Sequence, residues 1–175
     1  MLVLVVGPSG VGKDSLLNAA RNVFQDDSRI HFARRVITRP PDPLGENHES
    51  VTGAAFAARA FALSWPAHGL SYGIPAEALA AAPVVIANVS RGVIAQAAER
   101  HPVRVIAVTA PAAVLATRLA ARGREDAADV ARRLGRAAAI PEGVAVETVW
   151  NDGSLAEGVA RFVSAVRRVV ERVII

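Results

Sequence analysis

Cysteine is absent from this 175-residue chain, so it holds neither disulfides nor thiolate metal sites, and it suits a reducing, cytoplasmic setting. Aromatic residues are scarce, five Phe, two Trp and one Tyr. They are not interleaved with basic residues, so the stacking platform that single-stranded nucleic acid needs is missing. No apolar run approaches the roughly 20 residues of a membrane span, and the apolar N-terminus has no basic segment ahead of it. Lysine is the most telling shortage. Of twenty basic residues only Lys13 is lysine, and the rest are arginine. The formal charge of +4 is explained most economically by a small polyanionic substrate, with no nucleic-acid or membrane partner.

That one lysine lies in GPSGVGKDS, which comprises Gly7, Pro8, Ser9, Gly10, Val11, Gly12, Lys13, Asp14 and Ser15. Gly7, four residues, then Gly12 and Lys13 is the spacing of a P-loop. Residues 2–6 ahead of it form a β-branched apolar run, the pattern of a buried parallel strand. Glycines at 7, 10 and 12 let successive amide N–H groups turn toward one anion. A helix starting near Lys13 adds the positive end of its dipole. Lysine suits the position because a compact ammonium on a flexible stem follows a moving phosphoryl group better than a planar guanidinium does. The loop predicts ATP binding.

After the lysine a P-loop ordinarily places Ser or Thr, whose hydroxyl reaches Mg²⁺. Here the position holds Asp14, with Ser15 next. Two readings stand: Asp14 and Ser15 bind Mg²⁺, or Asp14 only favours the helix N-terminus. A bare carboxylate beside ATP phosphates is repulsive, which favours the metal.

The length fits one domain, residues 1–175, with one sizeable core. Strand patterns at 2–6, 32–37, 83–87, 104–108 and 144–149 alternate with helical patterns at 93–100, 111–122, 127–139 and 155–171. This order predicts a three-layer α/β/α fold around a five-stranded parallel sheet, with ligand over the carboxyl ends of the strands. Two stretches interrupt the alternation. Residues 40–75, rich in Pro, Gly and aromatics, carry at most one short helix and predict an acceptor-binding insert. Residues 118–136 predict a short arginine-rich lid. In the lid Arg118, Arg122 and Arg133 are the catalytic candidates, because positioned guanidiniums stabilise a transferring phosphoryl group. The other lid arginines fit a solvated face.

The order GPSGVGKDS, VITRP at 36–40, Tyr72–Gly73, RLAARG at 118–123 and WND at 150–152 resembles guanylate kinase-like proteins over most of the chain. Two positions depart from a guanylate kinase: Leu63 and Asn88 stand where a Glu and an Asp would read guanine. Asp42 also replaces a second phosphate-binding arginine expected shortly after Arg39. Together GKDS, GENH at 45–48, the pattern across 61–75 and NVSRG at 88–92 are similar to ribose 1,5-bisphosphate phosphokinases. That resemblance implies ATP-dependent phosphorylation of the 1-phosphate of ribose 1,5-bisphosphate, giving 5-phosphoribosyl 1-diphosphate.

The resemblance sets the remaining expectations. Arg39 holds an acceptor phosphate, and Glu46, Asn47 and His48 contact ribose hydroxyls or the second phosphate, unless they are only a polar loop. Tyr72 either bonds the acceptor or packs. Asn88, Ser90 and Arg91 lie at a strand's carboxyl end, and Asn151 lies near adenine or is a turn residue. An amide at Asn88 and a carboxylate at Asp14 suggest that the metal-site carboxylate has moved from strand to loop. His31, His68 and His101 read as surface or packing residues. Three rivals stand beside this reading: a guanylate or other nucleoside monophosphate kinase, a non-catalytic scaffold module of the same shape, and another small-metabolite kinase. Oligomeric state is left open, a homodimer being one arrangement these residues allow.

Overall fold

Leu2–Val6 is buried at every position because it is flanked on both edges and covered on both faces. A parallel strand in that setting reads as an unbroken apolar run. The computed structural model describes residues 1–41, 47–120 and 139–173. In chain order its elements are β1 (Leu2–Val6), α1 (Lys13–Val23), β2 (Ile30–Phe32), β3 (Val36–Ile37), β4 (Glu49–Ser50), α2 (Gly53–Ala57), β5 (Phe61–Ala67) and β6 (Leu70–Pro75). They continue with β7 (Val84–Asn88), α3 (Ile94–Arg100), β8 (Val103–Thr109), α4 (Ala112–Ala120), β9 (Ala145–Trp150) and α5 (Leu155–Glu171).

The main sheet runs β2-β7-β1-β8-β9, all parallel, as the alternation predicts. Alternate residues of β1 feed two cores. Val3 and Val5 face a layer with Leu16, Leu17 and Ala20 of α1 and Phe162, Val166 and Val169 of α5. Leu2, Leu4 and Val6 face the opposite layer, with Ile94 and Ala97 of α3. Complete burial of Phe162 alone contributes about 2 kcal/mol. At the start of α5, Ser154 and Glu157 form a reciprocal capping box. No described helix is long and apolar enough to cross a membrane.

Residues 32–37 do not form the single strand expected of them. β2 ends at Phe32 in the main sheet, Ala33 N–H still donates to Ile86 O at 2.9 Å, and the chain then leaves. Val36 and Ile37 pair instead with β4 and β6 in a second sheet of order β4-β3-β6-β5. The two arginines between them, Arg34 exposed and Arg35 half-buried, mark the crossing.

The insert holds strands as well as the one short helix expected of it. α2 is that helix, and β5 and β6 form a hairpin around His68 and Gly69, with φ of 52° and 72°. Two consecutive positive φ values match the twist of a tight hairpin turn. Leu63, Trp65, Tyr72 and Ile74 face the main sheet, so the insert becomes part of that layer. Gly73 lies in β6 where a Cβ would strike the ring of Phe61, which stacks on Phe56 at 4.2 Å. Gly73→Ala should therefore cost about 2 kcal/mol through overpacking. A calorimetric melting temperature lower by roughly 4–8 °C is the expected result, and an unchanged one would refute the packing.

Candidate active site

The loop between β1 and α1 has the backbone its glycines suggested. Gly10 and Gly12 adopt φ of 79° and 92°, the left-handed region. Gly12 caps α1 without a side-chain hydrogen bond, so the first-turn amides are left for an anion. Lys13 folds back over the loop, its Nζ donating to the carbonyls of Gly7 at 2.7 Å and Pro8 at 3.0 Å. Ser9 and Ser15 are exposed, whereas Val11 is fully buried beneath.

Asn151 is the buried strut of this loop. Its Nδ2 donates to Val11 O at 2.7 Å, and a Cβ on Gly12 would come within 2.7 Å of that nitrogen. The side chain is thus turned into the loop, with Oδ1 buried and without a hydrogen bond. Arg118 fixes the backbone behind it, donating through Nη1 to Asn151 O at 2.8 Å. Arg161 donates to Trp150 O at 2.9 Å and to the Asp152 carboxylate at 2.6 Å. That hydrogen bond is the main influence holding Asp152 below its ordinary carboxylate range.

On the opposite rim, Asn88 ends β7 and is buried. Its Nδ2 donates to Asp14 Oδ1 at 2.9 Å, while its own Oδ1 is buried without a hydrogen bond. Arg35 approaches the same carboxylate oxygen at 3.8 Å and sits 5.7 Å from the centre of the Tyr72 ring. Tyr72 packs, stacking on Trp65 with ring centres 5.7 Å apart. Asp14, Arg35, Asn88 and Asn47 border a cavity of about 30 Å³, room for one water. His48 is buried: its Nδ1 lies 3.2 Å from Arg39 Nη2, its Nε2 lies 3.1 Å from Ser50 Oγ, and its carbonyl accepts from Arg34 at 2.8 Å. His48 therefore braces Arg34 and Arg39.

Ser90 accepts from Gly92 N–H at 3.3 Å, starting the turn Arg91–Val93, and stays exposed beside Arg91. Glu46, Arg122 and Arg133 lie outside the described residues. The sequence reading missed Arg35, Arg34 and Arg21. Its available signal was a double arginine directly before VITRP, at the carboxyl end of a strand. Arg21 lines the same cavity, and burial, helped by the charge of Arg34, lowers its pKa.

The residues suit Mg²⁺ that arrives with a nucleotide. Among the described residues no group of three or more His, Cys, Asp or Glu is gathered to hold a metal unaided. A cation shared with phosphate oxygens needs only one or two carboxylates. Asp14 has a side chain 54% exposed and one oxygen pinned by Asn88, and Ser15 and the orphaned Asn88 Oδ1 add hard oxygen atoms nearby. An opening of about 840 Å³ along β9 and α5 contains no P-loop residue.

No family model matches the chain. It is similar in structure to guanylate kinase from Anaplasma phagocytophilum, with a TM-score of 0.66 over 96% of this chain and 84% of that one at 17% identity, a likeness of fold. In sequence it is 52% identical over 173 residues to a bifunctional ribose 1,5-bisphosphokinase-thymidine phosphorylase of Cupriavidus pinatubonensis, covering 94% of this chain and 29% of that longer protein. It is 57% identical over 148 residues to the ribose 1,5-bisphosphate phosphokinase PhnN of Acidiphilium cryptum, covering 83% of this chain and 81% of that protein. Identity at this level across nearly the whole relative means that the chain belongs to the ribose 1,5-bisphosphate phosphokinase family.

Proposed function

We propose that this protein transfers the γ-phosphoryl group of ATP to the 1-phosphate of ribose 1,5-bisphosphate, producing 5-phosphoribosyl 1-diphosphate and ADP. The observation that carries this choice of acceptor is Leu63. Where a guanylate kinase needs a carboxylate to read its base, this chain has a leucine 1% exposed, packed in the core. A base would leave its polar edge unpaired there, at a heavy cost in specificity. The cavity beside α1 is bordered by Asp14, Arg21, Arg35, Asn47 and Asn88, and its arginines and amides suit phosphate and hydroxyl oxygens.

The chemistry reduces to alignment and charge. An ionised oxygen of the acceptor phosphate forms a bond to the γ-phosphorus while the bond from that phosphorus to the β–γ bridging oxygen breaks, and ADP leaves with those electrons. The attacking oxygen is already anionic, so no general base is required. Lys13 exchanges the carbonyls of Gly7 and Pro8 for the β- and γ-phosphates, and the loop amides cradle them. Mg²⁺ bound with ATP, held by Asp14 and Ser15, would supply charge neutralisation along the transfer axis. Arg39, braced by His48, orients the acceptor phosphate, and Glu46 and Asn47 meet the sugar hydroxyls. Asn151 holds the loop in shape, close to where the adenine lies. We read residues 1–175 as one kinase domain, in which Arg118, Arg122 and Arg133 of the 118–136 lid close over the γ-phosphate and exclude water.

³¹P NMR of the protein with MgATP and ribose 1,5-bisphosphate tests the reading. A new doublet pair from a sugar diphosphate, appearing with ADP, is expected. ADP formation only with GMP would favour the nucleotide kinase instead, and no ATP binding by calorimetry would favour a scaffold.

A further inference from the structure

Asp14 is one carboxylate with two neighbours competing for it. Its Oδ1 accepts from Asn88 at 2.9 Å, and Arg35 stands 3.8 Å from the same oxygen. That separation is too long for a hydrogen bond, so the carboxylate acts on the guanidinium through charge alone. The Tyr72 ring beneath keeps Arg35 in place, and its side chain is only 14% exposed. Both groups border the cavity between α1 and the carboxyl ends of β2 and β7. Arg21 and Asn47 border it too, and Asp14 is its one negative group among the described residues. An anion brought up beside these groups meets attraction from the arginines and repulsion from Asp14. The repulsion disappears once a cation offsets the carboxylate.

Resting on the reaction proposed above, we infer that Arg35 binds the acceptor phosphate and that Asp14 withholds it until the metal nucleotide engages the carboxylate. Arg35 thereby supplies the second phosphate arginine that Asp42 does not. Metal nucleotide and acceptor then favour each other's binding by a common factor, because such coupling is reciprocal. The free protein holds the acceptor weakly, and the donor-loaded protein holds it well.

Isothermal titration with ribose 1,5-bisphosphate tests this, using the protein alone and the protein loaded with Mg²⁺ and a β,γ-imido analogue of ATP. The wild type should bind the acceptor about tenfold more tightly when loaded. Asp14→Asn, at an exposed position that tolerates the change, should bind it about tenfold more tightly with no nucleotide present, and the coupling should vanish. Arg35→Gln should lose about thirtyfold in acceptor affinity in the loaded state with nucleotide affinity within about twofold, and Arg35→Lys should restore part of the loss. Acceptor affinity of Asp14→Asn equal to wild type, or of Arg35→Gln equal to wild type, overturns the inference. The two readings fail separately. Turnover of ribose 1,5-bisphosphate without the Asp14 effect keeps the reaction and removes the withholding. An Asp14-dependent gain seen with GMP alone does the reverse.

Discussion

Lys13→Ala lowers kcat for phosphoryl transfer by about a thousandfold while the protein stays folded, measured by coupled ADP release and circular dichroism. In the proposed reaction the ammonium moves with the γ-phosphoryl group from donor toward acceptor, and a loss of this size corresponds to about 4 kcal/mol of transition-state stabilisation. Structure is spared because Lys13 is half-buried and the Gly7 and Pro8 carbonyls it caps can be satisfied by water instead. Lys13→Arg should rescue little. A guanidinium is wider and planar, and the loop is closely bounded by Val11 and Asn151. Undiminished turnover in the alanine variant would remove the P-loop from the mechanism altogether.

Asp14→Ser carries the second large effect, and its sign separates metal binding from a merely helix-stabilising role. If the carboxylate organises Mg²⁺, kcat falls roughly a hundredfold and the Mg²⁺ concentration giving half-maximal rate rises. Metal-free ATP, by contrast, binds more tightly, because a negative charge beside its phosphates has been deleted. Loss of a favourable helix-end charge alone is worth about 0.3–1 kcal/mol and would change neither the Mg²⁺ titration nor the preference between the two nucleotide forms. The substitution also leaves Asn88 Nδ2 buried without its partner, which costs about 1–3 kcal/mol of stability, so a thermal melt belongs beside the kinetics. An unchanged Mg²⁺ titration refutes the metal assignment.

Much of the main sheet was legible because its signals are local. Each of β1, β7 and β8 is built on a short apolar run, a pattern that burial on both faces imposes. The expected helix at 155–171 matches α5 because Ser154 and Glu157 announce its start. The P-loop was legible for the same reason, since its glycines and lysine act on the backbone beside them. The second sheet was not. β3 and β4 have two residues each, too short for any periodicity, and they are strands only because Val36 meets Gly73 on one side and Glu49 on the other. The β5–β6 hairpin did leave a trace, alternating Leu63 and Trp65 before a His-Gly turn, but the Pro-rich surroundings masked it.

What the residue order alone determined is the phosphate cradle, its single ammonium, the alternation of strands and helices, and the lack of a guanine-reading carboxylate at Leu63. Only the tertiary structure decided that Asn151 props the cradle from 140 positions away, that Asn88 holds Asp14 across 74, and that Arg35 stands against that same carboxylate. The physical reason is the reach of the forces. Backbone preference and hydrophobic periodicity act between near neighbours in the chain, whereas a hydrogen bond or a charge acts on whatever the fold brings within a few ångströms.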